Sequence, residues 1–229
     1  MTPASQGRAK GAALVAEVGP RLEKVFGRPG QRRHGSALDV LVGGVLSQNT
    51  SDVNSARAFD ALMDRFGDYP AIADARASAI AAAIRSGGLA RVKAPRLKRM
   101  LQDIRKRVPD MDLDGLLRGM SDEQARRHLT SIHGVGIKTA SVVLLFAMKR
   151  PVFPVDTHVH RVSRRLGLIG PRVSREKAHA ALEAIIPPGE RHALHVNLIR
   201  HGRETCHARR PECPRCALED VCPSAGTTG

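Results

Sequence analysis

Tryptophan is absent from this chain, and its 229 residues include one tyrosine and five phenylalanines. Proteins that grip single strands or RNA lean on exposed rings stacked against successive bases, so this scarcity disfavours such a module. Long apolar runs are missing too: nothing approaches the ~20 residues of a spanning helix, and no membrane partner is expected. Residues 1–13 carry Arg8 and Lys10 but neither an apolar core nor a small-residue cleavage site, so the reading is an intracellular, cytoplasmic protein. No segment sustains the alternation or β-branched run of a central strand, which leaves an all-α fold.

Cysteine is missing from everything before position 206. All four cysteines then follow as Cys206, Cys213, Cys216 and Cys222, spaced C-x6-C-x2-C-x5-C. A disulfide framework would distribute its cysteines through a small secreted fold, and this chain is long enough to bury a core without staples. Four thiolates in one run instead enclose a soft centre, either tetrahedral zinc or a cubane of four irons and four sulfides. Structural zinc sites usually present two short C-x2-C knuckles, and here only Cys213-Pro-Arg-Cys216 is one. The spacing leans toward iron–sulfur but leaves both centres open.

Acidic residues are in deficit, with 22 Asp and Glu against 37 Lys and Arg and a formal net charge of +15. The surplus is spread along the chain and exceeds the charge of about 2–8 that solubility asks of a small domain. It points to a polyanionic partner, nucleic acid first, because neutralising phosphates releases counterions and gives tight, salt-sensitive binding.

Apolar residues recur at helical spacing. Val40 to Leu46 read as a short apolar helix, and Asp52 caps a second that ends at Gly67. Ser78 to Ile84 form a third, ended by Gly87-Gly88, and Pro95 is placed in the first turn of a basic helix through Arg107. Ser121-Asp-Glu-Gln124 matches a capping box. A nearly all-apolar, buried helix is expected over Lys138 to Met148, broken by Pro151 and Pro154. Asp156 caps a helix to Leu166, Ser174 another to Ile186, and Glu190 to Arg203 the last.

Between Leu129 and Leu145 the pattern is helix, glycine turn, helix, with Gly134-Val135-Gly136 at the turn. The glycines are expected to adopt backbone angles closed to other residues and to bring main-chain N–H groups against a phosphate. A Walker loop needs four residues between its first glycine and Gly-Lys-Ser/Thr, and that spacing is not met. Lys138 falls in the first turn of the second helix, where partial desolvation and the helix N-terminus would favour the neutral amine. A neutral lysine can attack an electrophilic sugar carbon and leave a Schiff base. Eighteen residues on, Asp156 in Val155-Asp156-Thr157-His158 serves both as an N-cap and as a carboxylate able to stabilise a cationic sugar.

Hairpin, Lys138, Val155-Asp156-Thr157-His158 and the cysteine loop, in this order, make the chain resemble the endonuclease III family of helix-hairpin-helix DNA glycosylases, from about Leu38 to Cys222. The resemblance implies that Cys206, Cys213, Cys216 and Cys222 hold a [4Fe-4S] cluster, with Lys138 as Schiff-base nucleophile and Asp156 as assisting carboxylate. It implies two helical domains, 30–150 with the hairpin at about 121–149, and 1–29 with 151–229 around the cluster loop 206–222, and a cleft between them as the site. The expected activity is excision of oxidised pyrimidines from duplex DNA, followed by β-elimination at the abasic site.

In that family one loop fills the gap left by an extruded nucleotide, and here it reads Ser-Gln-Asn-Thr, so Gln48 and Asn49 are both candidates. An apolar wedge corresponds to Leu89. Thr130, His133 and His160 depart from the usual residues and would tune the base pocket. Arg209 and Arg210, with His207, are read as a basic lip on DNA. A monomer is expected. Two rivals remain: an enzyme of the same architecture that excises mismatched or uracil-type bases without cutting the strand, and a non-catalytic duplex-binding module with a zinc-stabilised tail.

Overall fold

Short polar residues at helix starts set most of the element boundaries. In a computed structural model of the protein, residues 3–30 and 35–227 are described, and every regular element among them is helical. The chain divides into two compact units, Met1–Arg32 with Pro151–Gly229, and Arg33–Arg150. The break between them at 32/33 lies outside the described residues.

The unit of the middle segment contains α2 (Ala37–Leu46), α3 (Asp52–Phe66), α4 (Tyr69–Asp74), α5 (Ala77–Ala83), α6 (Ala90–Arg107), α7 (Leu113–Arg118), α8 (Asp122–Thr130) and α9 (Ile137–Phe146). Ser36 and Ser121 each close a full capping box, with Asp39 and Gln124 as the reciprocal partners. Each box satisfies two N–H groups that a helix start leaves orphaned, an effect worth about 1 kcal/mol per cap. Gly67 ends α3 at φ 79°, a conformation glycine adopts at no steric cost. The core is aliphatic: Leu41, Leu46, Leu62, Ile72, Leu97 and Leu101 are fully buried. Helix α6 packs on α2, α4 and α5, and α2 on α9.

The other unit joins α1 (Pro3–Phe26) to α10 (Thr157–Arg165), α11 (Arg175–Glu183), α12 (Arg191–Glu204) and the cysteine loop. Helix α1 packs against α12, burying Val15, Val18 and Leu22 in a core shared with Phe153, Val159 and Leu198. Burial of each such side chain contributes about 1.5–3 kcal/mol. Leu218, from within the cysteine loop, is buried in the same core and ties the loop to it. Among the described residues, no helix is long and apolar enough to cross a membrane.

Three helices were not anticipated from the sequence: α1, which has Pro20 inside it, and the six-residue α4 and α7. Tertiary burial holds α1 where a proline inside the helix argues against one. The basic helix also starts earlier than expected. Its N-cap is Leu89 and it runs from Ala90, so Pro95 lies in its second turn. Val92 N and Lys93 N both donate to the Leu89 carbonyl, closing a first turn that needs nothing from Pro95.

Candidate functional site

The turn between α8 and α9 is glycine-shaped for one residue and not for the other. Gly134 sits at φ 80°, whereas Gly136 is the N-cap of α9 at φ −90°, ψ 172°, ordinary extended backbone. The expectation of a special angle at Gly136 is therefore corrected. A Cβ there would meet nothing within 4 Å. What its absence leaves is an unscreened approach to the N-terminus of α9, whose free N–H groups favour an anion. Val135 between them is buried and anchors the turn.

Helix α6 braces this hairpin from outside. Asp103 Oδ2 accepts from His133 N at 2.8 Å, and Arg107 donates to Ser131 Oγ at 2.8 Å and to Ser131 O at 3.0 Å. The backbone N–H of His133 and the Arg107 guanidinium help hold the Asp103 carboxyl below its ordinary value, against the opposing effect of burial. Thr130 folds its hydroxyl back onto the carbonyls of Arg126 and Arg127.

Lys138 is the second residue of α9, directly beyond the turn, and its side chain is exposed. The expected partial desolvation is not observed there. Beyond Lys138, α9 buries Ala140, Ser141, Val143, Leu144 and Leu145, so burial begins only after the first three residues of the helix. An exposed amine at this point is accessible to a large substrate.

Two further loops of the same unit carry the other expected residues. Gln48 and Asn49 are exposed just past the end of α2, with Asn49 in the left-handed region at φ 53°. Leu89 is also left-handed, at φ 50°, and its side chain is 53% exposed despite being purely apolar. Left-handed backbone is uncommon outside glycine, asparagine and aspartate, and for leucine it marks a conformation imposed by its surroundings. Arg96 Nη1 donates to Gln48 Oε1 at 3.4 Å.

Asp156, in the other unit, is the N-cap of α10, and its Oδ1 accepts from Val159 N at 2.7 Å. The extended segment leading to it is held by groups that the sequence reading missed. Phe153 N donates to Glu183 Oε1 at 2.8 Å. The buried rings of His179 and His195 each place Nδ1 3.0 Å from a carbonyl, that of Phe153 and that of Pro154. A carbonyl only accepts, so both Nδ1 atoms carry the proton. His160 engages the Val173 carbonyl at 2.8 Å within this unit.

The four cysteines are free thiols that line one cavity together with Val162, Leu166 and His201. Arg165 donates to Cys206 Sγ at 3.2 Å, and Leu218 N lies 3.4 Å from Cys216 Sγ. Burial pushes the Cys216 and Cys222 thiols up, and the neighbouring cysteines add to it. A positive centre would reverse that direction by stabilising thiolates. Among the described residues, no His, Cys, Asp or Glu side chains are grouped as for a single metal ion. The four thiols line one space, and soft sulfur donors backed by N–H groups are ligands that an iron–sulfur centre takes. Arg165 also donates to the carbonyls of His207, at 2.6 Å, and Ala208, at 3.2 Å, and so fixes the backbone ahead of the exposed Arg209 and Arg210. Arg210 is left-handed at φ 52°.

Residues 42–188 match the family model described as HhH-GPD superfamily base excision DNA repair protein. Endonuclease III of Sulfolobus acidocaldarius is 34% identical over 78% of this chain and 78% of its own length. Endonuclease III of Thermotoga maritima is 30% identical over 91% and 92%. A solved structure of a trapped endonuclease III–DNA covalent intermediate superposes with a TM-score of 0.79 at 27% identity, covering 94% of this chain and 97% of that one.

Proposed function

Because the chain belongs to the HhH-GPD superfamily of base excision DNA repair proteins, with endonuclease III enzymes among its relatives, we propose that it excises oxidised pyrimidines from duplex DNA and then cleaves the strand at the abasic site. The observation that carries this reading is Lys138, an exposed amine one residue into a helix whose N-terminus follows the hairpin turn. That the similar solved structure is a trapped covalent intermediate with DNA supports a covalent route here as well.

In this mechanism the hairpin receives a backbone phosphate on the N–H groups beyond Gly134, a contact blind to sequence. The target nucleotide leaves the stack, at a cost of a few kcal/mol that damage lowers. Gln48, Asn49 and Leu89 take up the space it vacates, and Arg209 and Arg210 hold phosphates. The Lys138 amine attacks the sugar carbon that bears the base, and the base departs with the bonding electrons and acquires a proton. Asp156 lends negative charge to the cationic sugar and helps remove the second proton from the attacking nitrogen. Ring opening leaves a protonated Schiff base on Lys138. Loss of a proton from the adjacent carbon then expels the 3′ phosphate by β-elimination, and water releases the lysine.

Cys206, Cys213, Cys216 and Cys222 would hold a [4Fe-4S] cluster. When bound it supplies structural closure of the loop that bears Arg209 and Arg210. The protein is proposed to act as an intracellular monomer.

Borohydride reduction during turnover on a duplex containing thymine glycol should leave a covalent protein–DNA adduct, and Lys138→Gln should abolish it. An adduct of undiminished yield in that variant rejects the assignment. Excision without any adduct or strand break supports the strand-sparing alternative instead.

A further inference from the structure

Lys93 is a buried cation in a helix whose other basic residues are largely exposed. Its side chain lies inside the middle unit, 1% exposed, and burial pushes its pKa below the ordinary lysine value. Burying an ammonium is costly, so its surroundings must give something back. Its Nζ donates to the Leu46 carbonyl at 2.6 Å and to the Gly87 carbonyl at 2.8 Å. Leu46 is the last residue of α2, where a helix leaves its carbonyls unpaired and the macrodipole is negative, an environment that accepts a cation. Gly87 closes the turn Arg85–Gly87, and a Cβ there would meet Ala58 Cβ at 2.9 Å. That residue is therefore held close against α3.

The two acceptors are not arbitrary. Leu46 immediately precedes the loop that exposes Gln48 and Asn49, and Gly87 stands two residues before the exposed Leu89. One buried cation thus joins the roots of both loops whose tips carry left-handed, non-glycine residues. Lys93 also belongs to the first turn of α6, where its own N–H bonds back to the Leu89 carbonyl. Side chain and main chain of one residue converge on both segments.

We propose that Lys93 is a positioning residue that fixes the Gln48–Asn49 loop and the Leu89 turn at one spacing, so that both enter the DNA stack together. This inference rests on the reading above that these loops fill the vacated space. Lys93 touches neither substrate nor sugar in this role. Its contribution is to nucleotide extrusion and not to the chemistry that follows.

The test compares single-turnover excision of thymine glycol in a fully paired duplex with excision of the same lesion inside a short unpaired bubble, where little remains to be extruded. Lys93→Met keeps the bulk and removes the donors. It should slow excision from the paired duplex on the order of 10- to 100-fold, the scale of a misplacement of about 1 Å, with a much smaller loss in the bubble. Lys93→Gln, which retains an N–H donor, should fall between, and it carries the comparison alone if the methionine variant does not fold. Leu89→Ala should show the same split. A 2-aminopurine opposite the lesion should brighten on binding of the unmodified protein and respond less in each variant. A split in Leu89→Ala that is absent from the Lys93 variants, or an equal loss on both substrates, overturns the role of Lys93 alone. No split in Leu89→Ala rejects the wedge reading and this inference with it.

Discussion

Arg161 and Arg165 hold the cysteine loop of one unit, and Lys93 joins the roots of the paired loops of the other. The arginines reach from α10 to the carbonyls of Cys206, Gly202, His207 and Ala208, and Arg165 reaches a sulfur as well. Each guanidinium spreads several donors over a broad surface, which suits a long loop wrapped around a centre. Lys93 is a compact, buried ammonium aimed at two carbonyls. On the reading proposed above, four ligands would also lock the cysteine loop, so its arginines would share the task. The Gln48 and Leu89 loops have no such centre. The protein itself must supply their rigidity.

Removing a ligand breaks the comparison most severely. Cys213→Ser should lose the broad absorbance near 400 nm and cost several kcal/mol of stability in its own unit, because metal-centre binding is folding free energy there. Hydrogen exchange should rise across 206–222 and stay unchanged in α2 and α6. Equal loss of protection in both would show that the two loop systems are not independent.

The arginines come next. Arg165→Met strips donors from His207 O, Ala208 O and Cys206 Sγ, and should cost about 1–3 kcal/mol in thermal or denaturant unfolding. With one sulfur hydrogen bond lost, the reduction potential of the bound centre should move as well. A variant with unaltered stability would mean that the cysteines hold this loop unaided.

A cap in the other unit gives a smaller effect. Ser36→Ala removes the side chain that accepts from Asp39 N at the start of α2 and should cost about 1 kcal/mol, measured by denaturant midpoint. Because Lys93 binds the far end of α2, the paired-to-bubble rate ratio should stay at the unmodified value in this variant. A changed ratio would make α2 as a whole, and not its last carbonyl, the positioning element.

The smallest effect is on pH. Burial, and then the charge of Arg107, push the His128 pKa below its ordinary value. The unfolded chain therefore takes up this proton first. The stability contributed by neutral His128 is complete above an ordinary histidine pKa of about 6.5 and is lost as the pH falls through the lower folded value. Melting temperature should decline from pH 7 to pH 5, less steeply in His128→Asn. Equal slopes would assign the acid sensitivity elsewhere.

Much of this protein is readable along the chain because its devices are local. A capping box spans four residues, the hairpin turn six, and the cysteine run seventeen, and each declares itself by spacing. The order of hairpin, Lys138, Asp156 and cysteines is enough to mark the family. The start of α6 was harder to read, because Pro95 is a strong local signal and was overridden by a turn built on Leu89. Helix α1 is not legible locally: Pro20 lies inside it, and burial of Val15, Val18 and Leu22 against α12 supports it.

What the sequence alone determined was composition, charge, helix punctuation and the spacing of the cysteines and the hairpin glycines, all of which are set within a few residues. Only the tertiary structure decided that Lys138 is exposed, that His179 and His195 brace the approach to Asp156, and that Lys93 is buried between two loops. The acceptors of Lys93 lie 47 and 6 residues away. A lysine in a basic helix reads as a solvated charge until folding brings those carbonyls to it and takes the water away.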